Sequence, residues 1–425
     1  MQIADLYDIF LQHPSIQTDS RKLKAGDLFF ALKGPSFNGN LFAKQALDAG
    51  AACAIIDEPV NFTDSRLIGT NDVLQTLQQL AKYHRQQFDI PFIAITGSNG
   101  KTTSKELVNE VLSSTYTTYT TKGNLNNHIG IPLTILSVQM DAEMAVIEMG
   151  ANHQKEIEGY CQYSLPTHGI ITNCGKAHLE GFGGDQGVRK GKGELFDWLR
   201  ANNGTAFIMN DYDYLVEMSK GIANIKTYGT QDADIVGVAD SSKEMLEVSM
   251  QKGTGIQHIK TNLVGAYNLP NVLLAVAVGK YFEVADDKIK TALESYVPSN
   301  SRSQLIEKDG NKIILDAYNA NPTSMKAAIE NIAKMPGENK FLLLGGMMEL
   351  GEESITEHKA IIDLIAAYQW KNVVLVGSDF DKIIHPFIYF KKSDEAREWL
   401  KQQQLRNAVL LVKGSRSMQM EKVLE

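Results

Sequence analysis

A glycine-rich segment at residues 96–103, Thr-Gly-Ser-Asn-Gly-Lys-Thr-Thr, constrains the fold of this chain more than any other feature. An apolar, strand-like run at 90–95 precedes it, and the residues after it repeat their apolar positions at helical spacing. In such a strand–loop–helix unit, Gly97 and Gly100 let backbone N–H groups approach an anion, and the helix N-terminus adds partial positive charge. The segment therefore predicts a phosphate-binding loop.

Two side chains of this loop are suited to binding a nucleotide. Lys101 can reach the outer phosphates, and the Thr102 hydroxyl can bind Mg²⁺. The loop lacks the full Walker spacing, because Ile95 stands where that pattern has its first glycine. A chance Gly-Lys-Thr in a surface turn is the alternative interpretation, but the flanking strand and helix patterns favour nucleotide binding.

Composition and charge narrow the class of protein. A length of 425 residues suggests about two to three domains, and hydrophobic and charged fractions of 43% and 22% are those of a soluble globular protein. The net charge of −8 and the lack of a basic block argue against nucleic acid as a partner. An acidic protein that binds polyanionic ligands needs local positive sites, and the glycine-rich loop supplies one.

The cysteine pattern and the hydropathy predict a cytoplasmic location. Cys53, Cys161 and Cys174 form no CxxC pair and no disulfide framework, which fits a reducing compartment. The N-terminal residues are partly acidic and show no apolar signal core, and no stretch approaches the ~18 apolar residues of a membrane-spanning helix. We therefore expect a protein with neither a signal peptide nor a membrane span.

Alternating strand and helix patterns predict an α/β protein of three domains. Residues 1–85 read as a small N-terminal α/β unit. Residues 86–300 show strand–helix repeats with short, almost wholly apolar strands, which predicts a parallel sheet buried on both faces. Residues 301–425 alternate again, which predicts a second doubly wound, Rossmann-like sheet. Clefts between these units are natural places for ligands.

Two polar residues follow apolar strands near the glycine-rich loop. Glu148 ends a strand predicted at 145–149, and His178 follows the next strand, predicted at 169–173. Ligands of open α/β sheets gather at the carboxyl ends of strands, where a carboxylate beside a phosphate is a natural Mg²⁺ ligand. A capping carboxylate and a structural histidine are the alternatives, but the positions favour a metal or substrate role.

A basic cluster lies further along the same region. Arg189, Lys190 and Lys192 fall within four residues, and three basic side chains near a phosphate site attract anions. The sequence alone does not select which of them acts. A solvated helix face explains the cluster equally well.

Two C-terminal segments also place polar residues after predicted strands. Asp316 begins one of them, and its Asn321-Pro322 pair fits a helix N-terminus, so alone it is typical of a capped turn. Lys413 and Arg416 belong to the other, where Arg416 could pair with a carboxylate. A plain surface turn explains this second segment equally well.

Together these segments resemble the Mur ligases, the ATP-dependent amide-forming enzymes of peptidoglycan precursor synthesis. The loop at 96–103 is similar to the signature of that family, and folylpolyglutamate synthases share the loop and the central domain. Within the family, four segments are most similar to the ligase that adds a dipeptide: 148–153, 175–183, 318–322 and 412–416. The Asp-Asn-Pro-Arg-like motif expected of the ligase that adds the third residue is absent. The resemblance covers essentially the whole chain.

The resemblance implies a three-domain enzyme whose first domain holds the UDP end of the substrate, the second ATP, and the third the incoming amino acid or dipeptide. The implied reaction joins D-alanyl-D-alanine to UDP-N-acetylmuramoyl-tripeptide through an acyl phosphate, with domain closure before chemistry. We expect a monomer. A family member that adds a single amino acid and a non-catalytic nucleotide-binding module are the alternatives. The presence of Glu148, His178 and Lys192 argues against the module.

Individual roles also follow from the resemblance. Lys192 is similar to the lysine that family members carbamylate, which would make it an anionic Mg²⁺ ligand beside Thr102, Glu148 and His178. The implied catalytic residues are Lys101, Glu148, His178 and Lys192. The implied ATP contacts are Gly97, Ser98, Asn99, Gly100, Lys101, Thr102, Thr103, Asn271 at the adenine, Arg302 and Asp316. The implied contacts to the other substrates are Ser20, Arg21, Asn124, Asn126, Asn127, Asn319, Asn321, Lys413 and Arg416. Residues 37–40 depart from the family's Asp-Gly-His pattern.

Overall fold

Three parallel or mostly parallel sheets organise the computed structural model, which describes residues 2–240, 244–299 and 301–425. Each sheet is covered by helices, so the chain is an α/β protein, as the sequence predicts. Among the described residues, no helix is both long enough and apolar enough to cross a membrane.

The N-terminal region contains a four-stranded parallel sheet with the strand order β1-β2-β5-β6 and a separate small hairpin, β3-β4. Its core is built from short apolar strands and from the buried faces of the flanking helices. The elements are α1 (Ile3–Gln12), β1 (Ile16–Gln17), β2 (Leu28–Phe30), β3 (Lys33–Gly34), β4 (Phe37–Asn38), α2 (Ala43–Asp48), β5 (Cys53–Ile56), β6 (Leu67–Gly69) and α3 (Val73–Arg85).

The first half of the central region forms the core of a nine-stranded sheet. Strands β7, β9, β10 and β11 are fully buried and mostly apolar, as expected inside a parallel sheet, whereas the edge strand β8 is half-buried. The elements are β7 (Phe92–Thr96), α4 (Lys101–Ser113), β8 (Thr118–Thr120), α5 (Gly130–Leu136), β9 (Met144–Glu148), α6 (Glu156–Ser164), β10 (His168–Ile171), α7 (Leu179–Phe182), α8 (Asp185–Ala201) and β11 (Thr205–Met209).

The second half of the central region differs from the predicted strand–helix repeat. The sheet order is β15-β14-β13-β12-β11-β10-β7-β9-β8, and strands β13, β14 and β15 pair antiparallel with one another. The almost wholly buried helix α10 packs against α4, behind the glycine-rich loop. The elements are α9 (Asp213–Met218), β12 (Asn224–Gly229), β13 (Ile235–Ala239), β14 (Met245–Lys252), β15 (His258–Val264), α10 (Leu269–Tyr281) and α11 (Asp286–Ser295).

The C-terminal region forms a six-stranded sheet of order β16-β17-β21-β18-β19-β20, parallel except for the edge strand β16. Helix α12 begins at Pro322 with Asn321 as its N-cap, as predicted. The elements are β16 (Gln304–Lys308), β17 (Asn311–Asp316), α12 (Pro322–Lys334), β18 (Lys340–Gly345), α13 (Ser354–Ala366), β19 (Asn372–Val376), α14 (Ser378–Asp381), β20 (Ile388–Phe390), α15 (Ser393–Gln403) and β21 (Val409–Lys413).

Candidate functional site

The glycine-rich loop connects β7 to α4 at the carboxyl edge of the central sheet. Gly97 has φ +142°, and a Cβ atom there would lie 2.0 Å from Thr172 Oγ1. Gly100 has φ +80°, and its Cβ would lie 2.7 Å from Asn271 Oδ1. Both positions therefore require glycine, for the backbone conformation and for the space.

The neighbouring strand β10 holds the loop in shape. Ser98 N–H donates to Asn173 O at 2.9 Å, and Asn99 N–H donates to Asn173 Oδ1 at 3.1 Å. The Thr172 hydroxyl donates to Asn99 O at 2.6 Å. The residues that follow β10 thus restrain the loop backbone at Ser98 and Asn99, which is part of the preorganisation that an anion site needs.

Lys101 stands at the start of α4 and folds back over the loop. Its Nζ donates to Gly97 O at 2.6 Å and to Ser98 O at 3.2 Å. Burial lowers the pKa of Lys101 to about 8, although the nearby Glu148 carboxylate opposes that shift. The ammonium group is therefore held at the loop by carbonyl oxygens, and a phosphate there would stabilise its charged form.

Two buried oxygen atoms near Lys101 lack partners. Thr102 Oγ1 and Glu148 Oε2 make no hydrogen bond to any described residue, whereas Glu148 Oε1 accepts from Asn126 Nδ2 at 2.8 Å. Leaving such atoms unpaired is costly, and both residues line the same cavity. One carboxylate and one hydroxyl fit Mg²⁺, which takes few protein ligands and completes its shell with water and phosphate. The described residues contain no cluster of three or more His, Cys, Asp or Glu that could hold a metal alone.

His178 lines the cavity, and its ring is engaged across the domain boundary. Its Nδ1 forms a hydrogen bond with Glu349 Oε2, which follows β18 of the C-terminal sheet. The bond from His178 lowers the pKa of Glu349, against the effect of burial. His178 is therefore close to the loop, but one of its ring nitrogens contacts a carboxylate of the C-terminal region.

Lys192 is the buried member of the basic cluster, whereas Arg189 and Lys190 are exposed. Its Nζ donates to Ala151 O at 2.9 Å and lies 4.8 Å from the centre of the Phe182 ring. Burial, and then the charge of Lys101, lowers the pKa of Lys192 well below its usual value. Burial thus singles out one lysine where the sequence pattern left three.

The C-terminal region forms the opposite wall of the site. The Arg302 guanidinium lies 3.7 Å from the centre of the Tyr318 ring, a close cation–π contact. Lys413 Nζ donates to Asp316 Oδ2 at 2.5 Å and to Asn319 O at 3.2 Å. Lys413 is therefore engaged in holding Asp316, and its side chain is almost fully buried.

A cavity of about 970 Å³ joins these two walls. Most of the residues singled out from the sequence line it, from both the central and the C-terminal regions. These are Ser98, Asn99, Gly100, Lys101, Thr102, Thr103, Asn126, Asn127, Glu148, His178, Asn271, Arg302, Asp316, Asn319, Asn321 and Lys413. Six others are not among its lining residues: Gly97, Ser20, Arg21, Asn124, Lys192 and Arg416.

The residues away from the cavity have other surroundings. Arg21 is exposed and pairs with Asp19 at 2.8 Å, and Arg416 pairs with Glu421 at 2.7 Å. Asn124 is exposed in the segment before α5. Gly97 acts on the site through the loop backbone. The structure therefore does not bring Ser20, Arg21, Asn124 or Arg416 to the glycine-rich loop.

Several lining residues escaped the sequence analysis. Asn268 Oδ1 accepts from Asn271 Nδ2 at 2.9 Å, so the predicted adenine contact belongs to a pair of asparagines. Tyr212 and Tyr214 stack with their ring centres 5.6 Å apart on another wall of the cavity. The two tyrosines follow the apolar strand β11, and the rule that drew attention to Glu148 applies to them as well.

Comparisons with known proteins agree with this architecture. Three family models match: Mur ligase family, catalytic domain, at residues 14–93; Mur ligase middle domain at 95–279; and Mur ligase, glutamate ligase domain, at 301–416. The UDP-N-acetylmuramoyl-tripeptide–D-alanyl-D-alanine ligases of Bacillus subtilis (strain 168) and Escherichia coli (strain K12) are each 34% identical, over 96% of this chain and 92% of the relative.

Solved structures match over nearly the whole chain as well. A crystal structure of MurF from Acinetobacter baumannii has a TM-score of 0.89 at 31% identity and covers 96% of this chain and 92% of its own. MurF ligase from Thermotoga maritima, in complex with ADP, has a TM-score of 0.88 at 26% identity and covers 97% of both chains. From its sequence, its three sheets and these matches, this chain belongs to the Mur ligase family.

Proposed function

We propose that this chain is an ATP-dependent ligase that joins D-alanyl-D-alanine to UDP-N-acetylmuramoyl-tripeptide. One observation carries the proposal: the phosphate loop and the unpartnered oxygens of Thr102 and Glu148 open into the same cavity as the C-terminal wall. Relatives of 34% identity bear the name of this activity, which supports the choice of substrates. The product would be a UDP-MurNAc-pentapeptide, a precursor of peptidoglycan.

The proposed domains follow the three sheets. Residues 1–85 would bind the UDP end of the substrate, residues 86–300 would bind ATP, and residues 301–425 would bind the dipeptide. In the first domain, Ser20 and Arg21 remain proposed contacts to the nucleotide end. We further propose that the enzyme is a cytoplasmic monomer without nucleic-acid partners, in keeping with its acidic composition.

The nucleotide would lie across the cavity from the phosphate loop to the C-terminal wall. The backbone N–H groups between Gly97 and Thr103 would bind its phosphates, and Asn271, supported by Asn268, would contact the adenine. Arg302 and Asp316 would hold the nucleotide from the other side. The bond from Lys413 to Asp316 supports a role for Lys413 in orienting that carboxylate.

Thr102 and Glu148 would hold Mg²⁺, with His178 as a further ligand once its ring is released from Glu349. The ion would neutralise negative charge on the phosphates. A lowered pKa favours the neutral amine of Lys192, which can attack CO₂ and release one proton to leave an anionic carbamate. We propose that modification because it would convert a buried amine into an anionic oxygen ligand beside the site.

The reaction needs positioning and charge neutralisation rather than a nucleophilic side chain. The tripeptide carboxylate attacks the γ-phosphate of ATP, which gives an acyl phosphate and ADP. The dipeptide amine then attacks the acyl carbon, and the tetrahedral intermediate loses phosphate to form the amide. Lys101 would offset the repulsion between the carboxylate and the phosphate, because its ammonium lies at the loop. Asn126 and Asn127 line the cavity where the tripeptide would enter.

Phosphate release tests the proposal. The protein is incubated with ATP, Mg²⁺ and UDP-MurNAc-tripeptide, with D-alanyl-D-alanine present, omitted or replaced by single amino acids. We expect release that depends on the dipeptide, with a pentapeptide product by mass. Release with a single amino acid instead would assign the chain to another ligase of the family. Absence of release under every condition would leave a nucleotide-binding protein without ligase activity.

A further inference from the structure

Two asparagines from different domains form a reciprocal pair beside the phosphate loop. Asn321 Nδ2 donates to Asn99 Oδ1 at 2.7 Å, and Asn99 Nδ2 donates to Asn321 Oδ1 at 3.4 Å. Asn99 belongs to the loop, whereas Asn321 is the N-cap of α12 in the C-terminal sheet domain. The contact therefore joins the nucleotide site directly to the C-terminal domain.

The helix cap fixes the orientation of this pair. Asn321 Oδ1 accepts from Ser324 N–H at 2.9 Å, which is the usual role of an N-cap side chain. The opposite end of the same amide must then be the NH₂ group, and that group faces Asn99. Asn321 is 6% exposed and Asn99 is half-buried, so the bond is partly shielded from water. The Asn321 amide NH₂ group therefore donates to the phosphate loop.

In the loop, both the backbone N–H and the backbone carbonyl of Asn99 form hydrogen bonds. Its N–H donates to Asn173 Oδ1, and its carbonyl accepts from Thr172 Oγ1 and from Asn173 Nδ2 at 3.0 Å. The backbone of Asn99 is thus tied to the central sheet, and its side chain is tied to Asn321. A movement of Asn321 would therefore pull on the loop backbone through the Asn99 side chain. That backbone carries the N–H groups that would bind phosphate.

A second route connects the same two elements. Ser98 Oγ donates to Gly175 O at 2.7 Å, and Lys176 N–H donates to Thr323 Oγ1 at 3.1 Å in the first turn of α12. A Cβ atom at Gly175 would lie 2.9 Å from Thr323 Oγ1, so the approach is close. Two neighbouring loop residues are therefore linked to one helix end.

We propose that Asn321 is a positioning residue that couples docking of the C-terminal domain to the shape of the phosphate loop. Its effect passes through Asn99, and it need not contact the dipeptide. The consequence for turnover rests on the proposed ligase function. Docking would hold the loop in the geometry that binds phosphate, so nucleotide affinity and turnover should both depend on this pair.

A double-mutant cycle tests the coupling. Asn321→Ser keeps a capping oxygen for α12 but is too short to reach the loop, and Asn99→Ala removes the other half of the pair. We expect each variant to lower kcat for dipeptide-dependent phosphate release by about tenfold, the effect of losing roughly one partly buried hydrogen bond. The double variant should have about the same kcat as the less active of the two single variants, because both substitutions remove the same contact.

The control is Lys326→Ala, which alters an exposed side chain on the same helix. It should leave kcat unchanged, and the thermal midpoints of all variants should stay near that of the control. The inference is overturned if Asn321→Ser retains full kcat, or if the two effects multiply in the double variant. Multiplying effects would mean that the two residues act independently.

ADP affinity, measured by calorimetry without peptide substrates, separates this inference from the proposed function. We expect Asn321→Ser and Asn99→Ala each to weaken ADP binding several-fold, again without multiplying. If the wild-type protein shows no dipeptide-dependent phosphate release, the ligase proposal fails and the ADP cycle still tests the coupling. If the ligase reaction occurs but the ADP effects are absent or multiply, the coupling alone is wrong.

Discussion

Single buried atoms explain why this site is costly to keep empty. Glu148 is 1% exposed, and one of its carboxylate oxygens has no partner among the described residues. Thr102 Oγ1 is in the same situation on the neighbouring helix. A folded protein keeps unpaired buried oxygens mainly where a ligand completes them, because each costs about 1–3 kcal/mol when left alone. The cost of the empty site and its capacity to bind a cation therefore have one cause.

Replacing Glu148 by glutamine separates the stability cost of the unpaired carboxylate from its role in binding a cation. The change keeps the size of the side chain and the acceptor for Asn126, but it removes the charge. We expect kcat to fall by at least about 100-fold, because losing a metal ligand should cost no less than losing a group that only orients one, while the thermal midpoint stays equal or rises. Phosphate release across a Mg²⁺ titration and a thermal melt measure both. Full activity at ordinary Mg²⁺ would show that Glu148 is not a metal ligand.

His168 should make the stability depend on acid pH. Burial lowers the pKa of His168 to about 4, from about 6.5 in the unfolded chain. Between these values the unfolded state binds one more proton, so the free energy of unfolding should fall by about 1.4 kcal/mol per pH unit as the pH decreases. Above pH 6.5 this contribution is fully present.

The measurement is denaturant unfolding at several pH values between 4 and 7. His168→Gln should show a shallower loss of stability than the wild type, because glutamine does not titrate. His258→Gln changes an exposed histidine and serves as the control. Parallel curves for wild type and His168→Gln would contradict the prediction. Buried His84 and His358, whose pKa values burial also lowers, contribute to the remaining slope.

At the scale of elements, the sequence predicts most clearly what local chemistry determines. The apolar runs that become β7, β9 and β10 are identifiable because both faces of a central parallel strand are buried. The start of α12 follows from an Asn-Pro pair, whose cap and fixed φ act within one turn. The sequence analysis does not identify the antiparallel strands β13 to β15, although apolar and polar residues alternate along β14, which is a signal of a strand.

The arrangement of the site was less predictable, since its walls are far apart in sequence. The Asn99–Asn321 pair joins the central and C-terminal walls of the cavity, and the Arg302–Tyr318 contact forms part of the C-terminal wall. No local sequence pattern specifies either contact. Family resemblance placed Asn271, Arg302 and Asp316 near a nucleotide, but it did not show that Lys413 is already paired. Pairings of this kind depend on how two domains meet, which a single sequence does not state.

The loop between β7 and α4 should lose its conformation, and with it ADP binding, if its first glycine gains a side chain. Gly97→Ala would place Cβ 2.0 Å from Thr172 Oγ1 at a φ of +142°. We expect a loss of about 1–3 kcal/mol in the free energy of unfolding and a loss of ADP binding. Gly159→Ala is the matched control, because a Cβ there meets nothing within 4 Å on helix α6, where alanine is the better helix former. Wild-type ADP affinity in Gly97→Ala would contradict the assigned loop geometry.

At the scale of the whole molecule, two acidic residues of the C-terminal domain contact basic groups next to the phosphate loop. Lys176 pairs with Glu357 at 2.5 Å, and His178 pairs with Glu349. Each pair has one exposed member, Lys176 in the first and Glu349 in the second, so each pair contributes about 1 kcal/mol at most. Together they can shift the ratio of docked to undocked domains by about tenfold. The ligands are expected on separate domains, so that ratio would control access to the cavity.

The double variant Glu349→Gln, Glu357→Gln should therefore open the molecule. We expect a larger radius of gyration by small-angle scattering without ligands, and a return towards the wild-type value with ADP and UDP-MurNAc-tripeptide, since bound ligands favour the docked state. High salt should act on the wild type in the same direction, because it screens the same pairs. Asp363→Asn also removes an acidic charge from helix α13, but its ion pair with Lys359 is confined to the exposed face of that helix. It should leave the radius of gyration unchanged, and equal radii for all three proteins would show that these contacts do not hold the domains together.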